Sequence, residues 1–188
     1  MDPIGAWHGE HMRFSALLDF LERQMRAFHA GDDPNYELMR DVVQYLHDYG
    51  DAFHHPREDV AFKRMVRHDP AFQTKVNQLL QEHRAINVAG EALLSLFDEI
   101  LEDATIARAK VEAAAALYFV YYRNHLAMEE REVLPYAAKM LTPEDWADVA
   151  AAVSFMPDPM FGNDVAAQYR ELRGWIAREG HGSPPTGN

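Results

Sequence analysis

Two sets of histidine and glutamate residues occur along this chain of 188 residues, in the same order and at nearly the same spacing. Each set begins with a histidine directly after a glutamate, and the pattern His-x-x-x-Glu follows about forty positions later. Imidazole nitrogens and carboxylate oxygens are ligands that iron, zinc and manganese all accept. The repeat therefore predicts a metal site. Its members are His11, His54 and Glu58 in the first set and His83, His125 and Glu129 in the second.

The matched spacing is stronger evidence than either His-x-x-x-Glu pair alone. A single pair of this kind is common on helix surfaces, where residues four apart are neighbours. Two such pairs, with one further histidine from each of two more helices, allow both glutamates to bridge two metal ions inside a bundle. His83 also lies in an apolar stripe between Leu80 and Ile86, where an unpaired polar ring would be costly. A mononuclear or structural zinc site stays open as the alternative.

The spacing of apolar residues predicts an all-α fold, an up-down-up-down four-helix bundle with additional C-terminal helices. We expect a single domain over 1–178, with a core bundle at about 7–140, a helical extension at about 142–178 and a disordered tail at 179–188. Pro56 falls inside the second helix and predicts a kink between His54 and Glu58. The four long helices are expected to begin near residues 7, 35, 70 and 104.

The topology brings the two sets together. His11 and His83 lie near the starts of the first and third helices, whereas His54 and His125 lie late in the second and fourth. Because short connections make consecutive helices antiparallel, all four histidines should meet near one end of the bundle. The offset of about 72 positions between the two sets also suggests a pseudo-twofold axis through the site.

Composition limits the other function classes. The net charge of -12 disfavours nucleic acid and anionic membrane surfaces as partners. The chain has no cysteine, so disulfides, thiolate ligands and cysteine nucleophiles are excluded, and any metal must use nitrogen and oxygen ligands. No apolar run approaches the length of a membrane span, and the N-terminus has no secretory pattern. A cytoplasmic location is the expectation.

Three further side chains are candidates for the surroundings of the metal. His8 precedes His11 by one helical turn and is expected to line the open end of the site. His55 points about 100° away from His54 on a helix, so we expect it outside the ligand set or on the surface. Tyr121 precedes His125 by one turn, where its phenol could donate a hydrogen bond to a bound peroxide.

Four segments carry a resemblance to a known family. GEHMRFSALL, HHPREDVAF, QEHRAI and HLAMEEREVLP resemble the hemerythrin-like HHE cation-binding domains, over about residues 7–140. The resemblance implies a non-haem di-iron centre with two iron ions, for which zinc or manganese are possible substitutes. It also implies that the six residues of the repeated sets are the ligands, with both glutamates bridging.

The chain departs from the oxygen-carrying members of that family at two places. They have a fifth histidine one turn after the third-helix ligand, where this chain has Asn87. They end the site with His-x-x-x-x-Asp, whereas this chain has His125-x-x-x-Glu129. Both differences weaken an oxygen-carrier function, and the loss of one imidazole favours a more open, more reactive site. The set is most similar to bacterial di-iron proteins linked to repair of iron-sulfur centres and to nitric oxide stress.

The leading hypothesis is a binding module that holds iron and engages a small ligand such as dioxygen, nitric oxide or peroxide. The alternative is an enzyme at the same centre, which reduces peroxide or nitric oxide or donates iron to damaged clusters. The redox partner is not readable from the sequence. The segment from about 142 to 178 is expected to cap the bundle or to form a contact between copies in a homo-oligomer.

Overall fold

The computed structural model describes residues 2–179, and among these residues the regular structure is helical, with no strand. The all-α prediction is confirmed. Two helices contain wider, π-helical turns, which we call the first π segment (Leu46–His54) and the second π segment (Glu129–Val133). The α-helices are α1 Pro3–Ala30, α2 Tyr36–Tyr45, α3 His55–His68, α4 Gln73–Leu101, α5 Arg108–Met128, α6 Leu134–Met140, α7 Pro143–Ala152 and α8 Arg170–Glu179.

Four long helical rods form the bundle. The first is α1, the second is α2 continued through the first π segment into α3, the third is α4, and the fourth is α5 continued through the second π segment into α6. Helix α4 packs against α5 and α2, and α1 packs against α5 and α2. Each rod therefore has neighbours on two sides, which is the arrangement of the predicted four-helix bundle.

Pro56 lies inside the second rod, where α3 directly follows the first π segment. The first π segment ends at His54, and Pro56 falls in the first turn of α3. Within this wider stretch, the N–H of His55 bonds to the carbonyl of Gly50, five residues back. The π-helical turns therefore lie before the proline, whereas the predicted kink lay between His54 and Glu58.

The interior has two apolar clusters, one on each side of a polar layer. Along every rod, the residues of the repeated sets lie between a residue of the smaller cluster and a residue of the larger one. The flanking pairs are Trp7 and Phe14 on α1, Phe62 and Phe53 on the second rod, Leu79 and Ile86 on α4, and Val133 and Tyr122 on the fourth. The histidines and glutamates are thus enclosed by apolar side chains above and below.

The C-terminal segment packs against the bundle. Met160, Tyr169 and Leu172 are buried in the larger apolar cluster, and the ring of Trp175 lies 4.3 Å from that of Phe20. Helix α8 begins later than the predicted start near 163, after a 3-10 turn. Of the predicted disordered tail at 179–188, only Glu179, the last residue of α8, lies within the described residues. No helix in the described part is both long and apolar enough to cross a membrane.

Candidate metal centre

All six side chains of the repeated sets are buried, and His83, the most accessible, is only 7% exposed. They come from four different rods and meet in the polar layer between the two apolar clusters. Buried ionisable groups at this density are stable only when they pair with one another or bind a metal. Their contacts therefore show how the centre is built.

The first set forms a tight group. The Nε2 atoms of His11 and His54 lie 2.9 Å apart. Glu58 Oε1 lies 3.1 Å from the Nε2 of His54 and 3.4 Å from that of His11. These three ligand atoms, which come from two rods, face a common point.

The second set repeats this arrangement. Glu129 Oε2 lies 3.1 Å from His125 Nε2, and Glu129 Oε1 lies 3.7 Å from His83 Nε2. The rings of His83 and His125 are 4.7 Å apart, close to the 4.9 Å between the rings of His11 and His54. The two halves therefore have similar geometry, in agreement with the pseudo-twofold relation in the sequence.

Each glutamate also reaches a histidine of the other set. Glu58 Oε2 lies 3.6 Å from His83 Nε2, and Glu129 Oε2 lies 3.5 Å from His11 Nε2. The two carboxylates thus stand between the two groups of imidazoles. This is the position in which one carboxylate can share its two oxygens between two ions.

Four histidines have their second ring nitrogen bonded to an acid. The Nδ1 of His11 donates to Glu130 at 2.6 Å, that of His83 to Asp59 at 2.7 Å and that of His125 to Glu82 at 3.1 Å. The Nδ1 of His54 donates to Glu10, which also accepts from Tyr49 and Arg57. Such bonds fix the ring so that Nε2 faces the centre, as is usual for metal-binding histidines.

These acids obey the pseudo-twofold relation as well. Glu10 and Glu82 stand next to His11 and His83 in sequence, yet each bonds the histidine of another rod. Asp59 and Glu130 directly follow the central glutamates of the two sets. Their equivalent positions, each directly after a central glutamate, are the signal in the sequence that could have identified Asp59 and Glu130. Glu130 lies in a run of charged residues, and its side chain is a partner of the centre.

Six of the inward-facing atoms have no hydrogen-bond partner. Both oxygens of Glu58, both oxygens of Glu129 and the Nε2 atoms of His83 and His125 are fully buried and unbonded. Buried polar atoms are nearly always hydrogen-bonded, so a cluster of unpaired ones requires an explanation. Nitrogen and oxygen donors of this kind fit a transition-metal cation, which would satisfy all of them together.

The protonation of the histidines reflects the surrounding acids. Burial disfavours the charged form of His11, but the nearby Glu130, Glu58 and Glu129 outweigh it and raise its pKa to about 10. Burial likewise opposes the charged form of His83, and Asp59, Glu129 and Glu58 raise its pKa to about 10. Protons therefore balance part of the negative charge in this arrangement.

The two central glutamates are held as anions. Burial and the charge of Glu58 both favour the neutral form of Glu129, but His125 and His83 lower its pKa to about 2. Burial also opposes ionisation of Glu58, and the adjacent His54 and His11 keep its pKa well below the ordinary value. The centre thus offers two permanent negative charges to a cation.

The family model for the hemerythrin HHE cation-binding domain matches residues 2–137. This match covers more than half of the chain and includes every residue of both sets. The chain belongs to the hemerythrin HHE cation-binding family. The resemblance to these domains in the sequence is confirmed, and cation binding fits the buried histidine and glutamate cluster. No curated protein and no solved structure matches the chain significantly.

His55 is part of the cluster in this HHE domain. It is 3% exposed, so the surface position considered from the sequence is wrong. A ligand atom of His55 lies within 4.8 Å of ligand atoms of Glu58, His83 and His125. Burial and the charge of His83 lower its pKa to about 4.

The other predicted neighbours of the centre take different positions. Tyr121 is 38% exposed and faces outward, so its proposed contact with a bound ligand is wrong. Residues four and three before His125 lie on opposite sides of it, and the bundle axis lies on the side of the buried Tyr122. His8 lies at the surface and bonds Glu130 at 2.8 Å. Asn87 is half-buried and is not among the residues whose ligand atoms converge.

One cavity borders the centre of the HHE domain. Its volume is about 270 Å³, and His11, Glu130 and the apolar Leu126 are among the residues that line it. His8 and Arg123 also line this cavity. The cavity therefore connects the surface to the His11 side of the cluster, where a small molecule can approach.

Proposed function

We propose that this HHE domain binds two iron ions in the cluster and engages a small ligand such as dioxygen, nitric oxide or peroxide. The observation that carries the proposal is the position of Glu58 and Glu129. Each has one oxygen facing one pair of histidines and contacts a histidine of the other pair. Two carboxylates between two groups of imidazoles suit two metal ions, and a mononuclear zinc site would not use both groups.

The donor set would hold the ions as follows. His11 and His54 would bind one ion, His83 and His125 the other, and Glu58 and Glu129 would bridge them. Bound iron would supply redox chemistry at the centre. The protein's own side chains orient the imidazoles, and Glu130 can hold or accept the proton at His11 Nδ1 when the charge of the centre changes.

The cavity beside His11 supports a small ligand. With about 270 Å³ lined partly by Leu126, Ala127 and Met12, it has room for a diatomic molecule or peroxide and an apolar wall next to the centre. Apolar surroundings restrict water near the ions, so less water competes with a small ligand for the centre. The same cavity would serve a binding module or an enzyme.

The first test is the metal identity and count per chain, by elemental mass spectrometry on protein purified without added metal. We expect about two irons per chain, and Glu58→Ala and His54→Ala should each lose at least one ion. His47→Ala is the matched control, because His47 is half-buried on the same rod and lies outside the cluster. Two ions retained in both site variants would contradict the ligand assignment, and one zinc per chain would contradict the function.

A second measurement separates a binding module from an enzyme. The iron-loaded protein is mixed with nitric oxide or peroxide, with and without a reductant, and the optical spectrum and the ligand concentration are followed. A stable, reversible spectral change supports the binding module. Consumption of many equivalents of ligand per chain would instead show the enzymatic alternative.

A further inference from the structure

His55 has the surroundings of a metal ligand, although it adjoins His54. Its ring lies 4.2 Å from that of His83, with an angle of 11° between the planes, and 5.3 Å from the ring of His125. Because each nitrogen lone pair lies in its ring plane, binding of one ion by His55 and His83 would rotate these two rings out of their parallel arrangement. Together with Glu58, these residues place four ligand atoms within 4.8 Å of one another. The second group of imidazoles therefore has three members instead of two.

Both nitrogens of His55 are buried, and one of them has an acid beside it. Nδ1 lies 3.0 Å from Asp51 Oδ1, and both side chains are only 4% exposed. This pair lacks the alignment of a hydrogen bond, and Nε2 is buried without any partner. A buried imidazole with an acid beside Nδ1 and an unpaired Nε2 is suited to bind a cation. Without a cation, burial of the unpaired Nε2 of His55 would destabilise the fold.

Adjacent residues can serve one centre because the centre has two metal positions. Side chains at successive helical positions point about 100° apart, so His54 and His55 cannot readily reach one ion. Glu58 lies between them, with Oε1 toward His54 and Oε2 toward His83. The two histidines can therefore address opposite sides of this carboxylate. The first π segment ends between them, and such segments are frequent at functional sites.

His55 also breaks the pseudo-twofold relation. The position equivalent to His55 in the second half is Leu126, and the one equivalent to Asp51 is Tyr122. Leu126 is buried and lines the cavity beside His11. One half of the centre thus has a third imidazole at the place where the other half has an apolar side chain and a route to the surface.

We propose that His55 is a fifth histidine ligand and makes the two metal positions unequal. This inference rests on the proposed two-iron function. The metal position at His83, His125 and His55 would then have more protein ligands than the other one. The metal position at His11 and His54 would keep a coordination site free for the small ligand, on the side of Leu126.

The test compares wild type with His55→Leu, which copies the residue at the equivalent position and gives both halves the same ligand set. Mössbauer spectra are recorded on oxidised protein loaded with enriched iron, and iron release to a chelator is timed. Wild type should show two quadrupole doublets of equal area, and these should merge in His55→Leu. One of the two irons should leave His55→Leu at least about tenfold faster, because even the loss of an outer partner costs that much.

His47→Leu is the control, since it makes the same substitution on the same rod outside the cluster. It should retain the wild-type spectrum and release rates. Unchanged doublets and unchanged release in His55→Leu, with two irons bound, would overturn the role of His55 and leave the two-iron function standing. Fewer than two irons in wild type would overturn the function itself. If His55→Leu does not fold, the wild-type spectrum decides, because a single doublet from two irons contradicts unequal positions.

Discussion

At the scale of single residues, each histidine of the centre uses its two ring nitrogens differently. In His11, His54, His83 and His125, Nε2 faces the other central side chains and Nδ1 bonds an acid from another rod. Acids in this position raise the basicity of the ring and fix its orientation. Histidines alone would not specify the centre, because each ring could otherwise rotate and expose the wrong nitrogen.

Glu82 allows this role to be tested with little other disturbance. Glu82→Gln keeps the shape of the side chain but removes the charge that accepts from His125 Nδ1. We expect iron affinity to fall by about 10- to 100-fold while the iron count at saturation stays the same. Competition with a chelator measures the affinity. Glu91→Gln, at an exposed glutamate of the same helix, should leave it unchanged. Equal iron affinity in the two variants would show that Glu82 does not support the metal centre.

At the scale of elements, the first π segment brings the second rod close to α5. Its Gly50 is buried, and a Cβ there would lie 2.7 Å from Tyr122 Oη. Tyr122 is fully buried, so its ring has no room to move away. The glycine thus permits a close approach that an alanine would not, next to Asp51 and to the site.

Gly50→Ala should therefore destabilise the fold, by about 1–3 kcal/mol, as is usual for overpacking. Chemical unfolding monitored by circular dichroism measures the change. In a Tyr122→Phe background the cost should be smaller, because the clashing oxygen is absent. Gly174→Ala is the control. It lies in α8, where the nearest atom is the end of a flexible arginine at 3.4 Å, and alanine there should be neutral or stabilising. An equal cost in both backgrounds would contradict the proposed clash.

Helix α7 begins with a reciprocal cap. Asp145 N donates to Thr142 Oγ1, and Thr142 N donates to Asp145 Oδ2. His68 adds a contact at 2.8 Å. Burial opposes ionisation, but the Thr142 N–H and His68 lower the pKa of Asp145 from 3.8 to about 2. A carboxylate with a lowered pKa stabilises the folded state fully above its ordinary pKa and loses that effect as the pH falls toward the folded value.

Asp145→Asn should cost about 1 kcal/mol at pH 7, the usual size of a cap. The difference from wild type should shrink as the pH falls from 3.8 to 2, the range in which the wild-type carboxylate becomes protonated. Urea unfolding at both ends of this range measures it. Glu144→Gln removes the same charge from the same turn without the capping bonds and should have a smaller effect. If the difference in unfolding free energy does not change with pH, the charge of the Asp145 carboxylate is not its cause.

At the scale of the whole molecule, the C-terminal extension completes the larger apolar cluster. Leu172 is fully buried there, and Trp175 covers Phe20. The other tryptophans, Trp7 and Trp146, lie 5.2 Å apart beside the smaller cluster, on the opposite side of the centre. The two ends of the molecule thus carry separate fluorescent reporters.

If the chain is a single domain, as the sequence predicts, one substitution in the extension should destabilise both ends. Leu172→Ala should cost about 2–5 kcal/mol, as do other truncations of buried leucines. Unfolding followed by tryptophan fluorescence should coincide with unfolding followed by circular dichroism. Leu101→Ala, at an exposed leucine, should cost much less. Two separate transitions, with the bundle unaffected by Leu172→Ala, would show that the extension folds by itself.

The sequence by itself determined the helical bundle, the two repeated sets and their meeting at one end. Apolar periodicity specifies helices, residues four apart share a face, and short connections reverse the direction of the chain. These relations hold regardless of packing. They were sufficient to bring His11, His54, Glu58, His83, His125 and Glu129 into one cluster.

Only the tertiary structure decided how each rod is rotated about its own axis. A rotation of about 100° separates Tyr121, which faces solvent, from Tyr122, which is buried beside the centre. The same rotation, with the π turns before it, brings His55 into the cluster instead of leaving it on the surface. It also selects which acid meets each Nδ1. Packing of the apolar clusters sets these angles, because the spacing of residues along one helix is the same for every rotation of that helix.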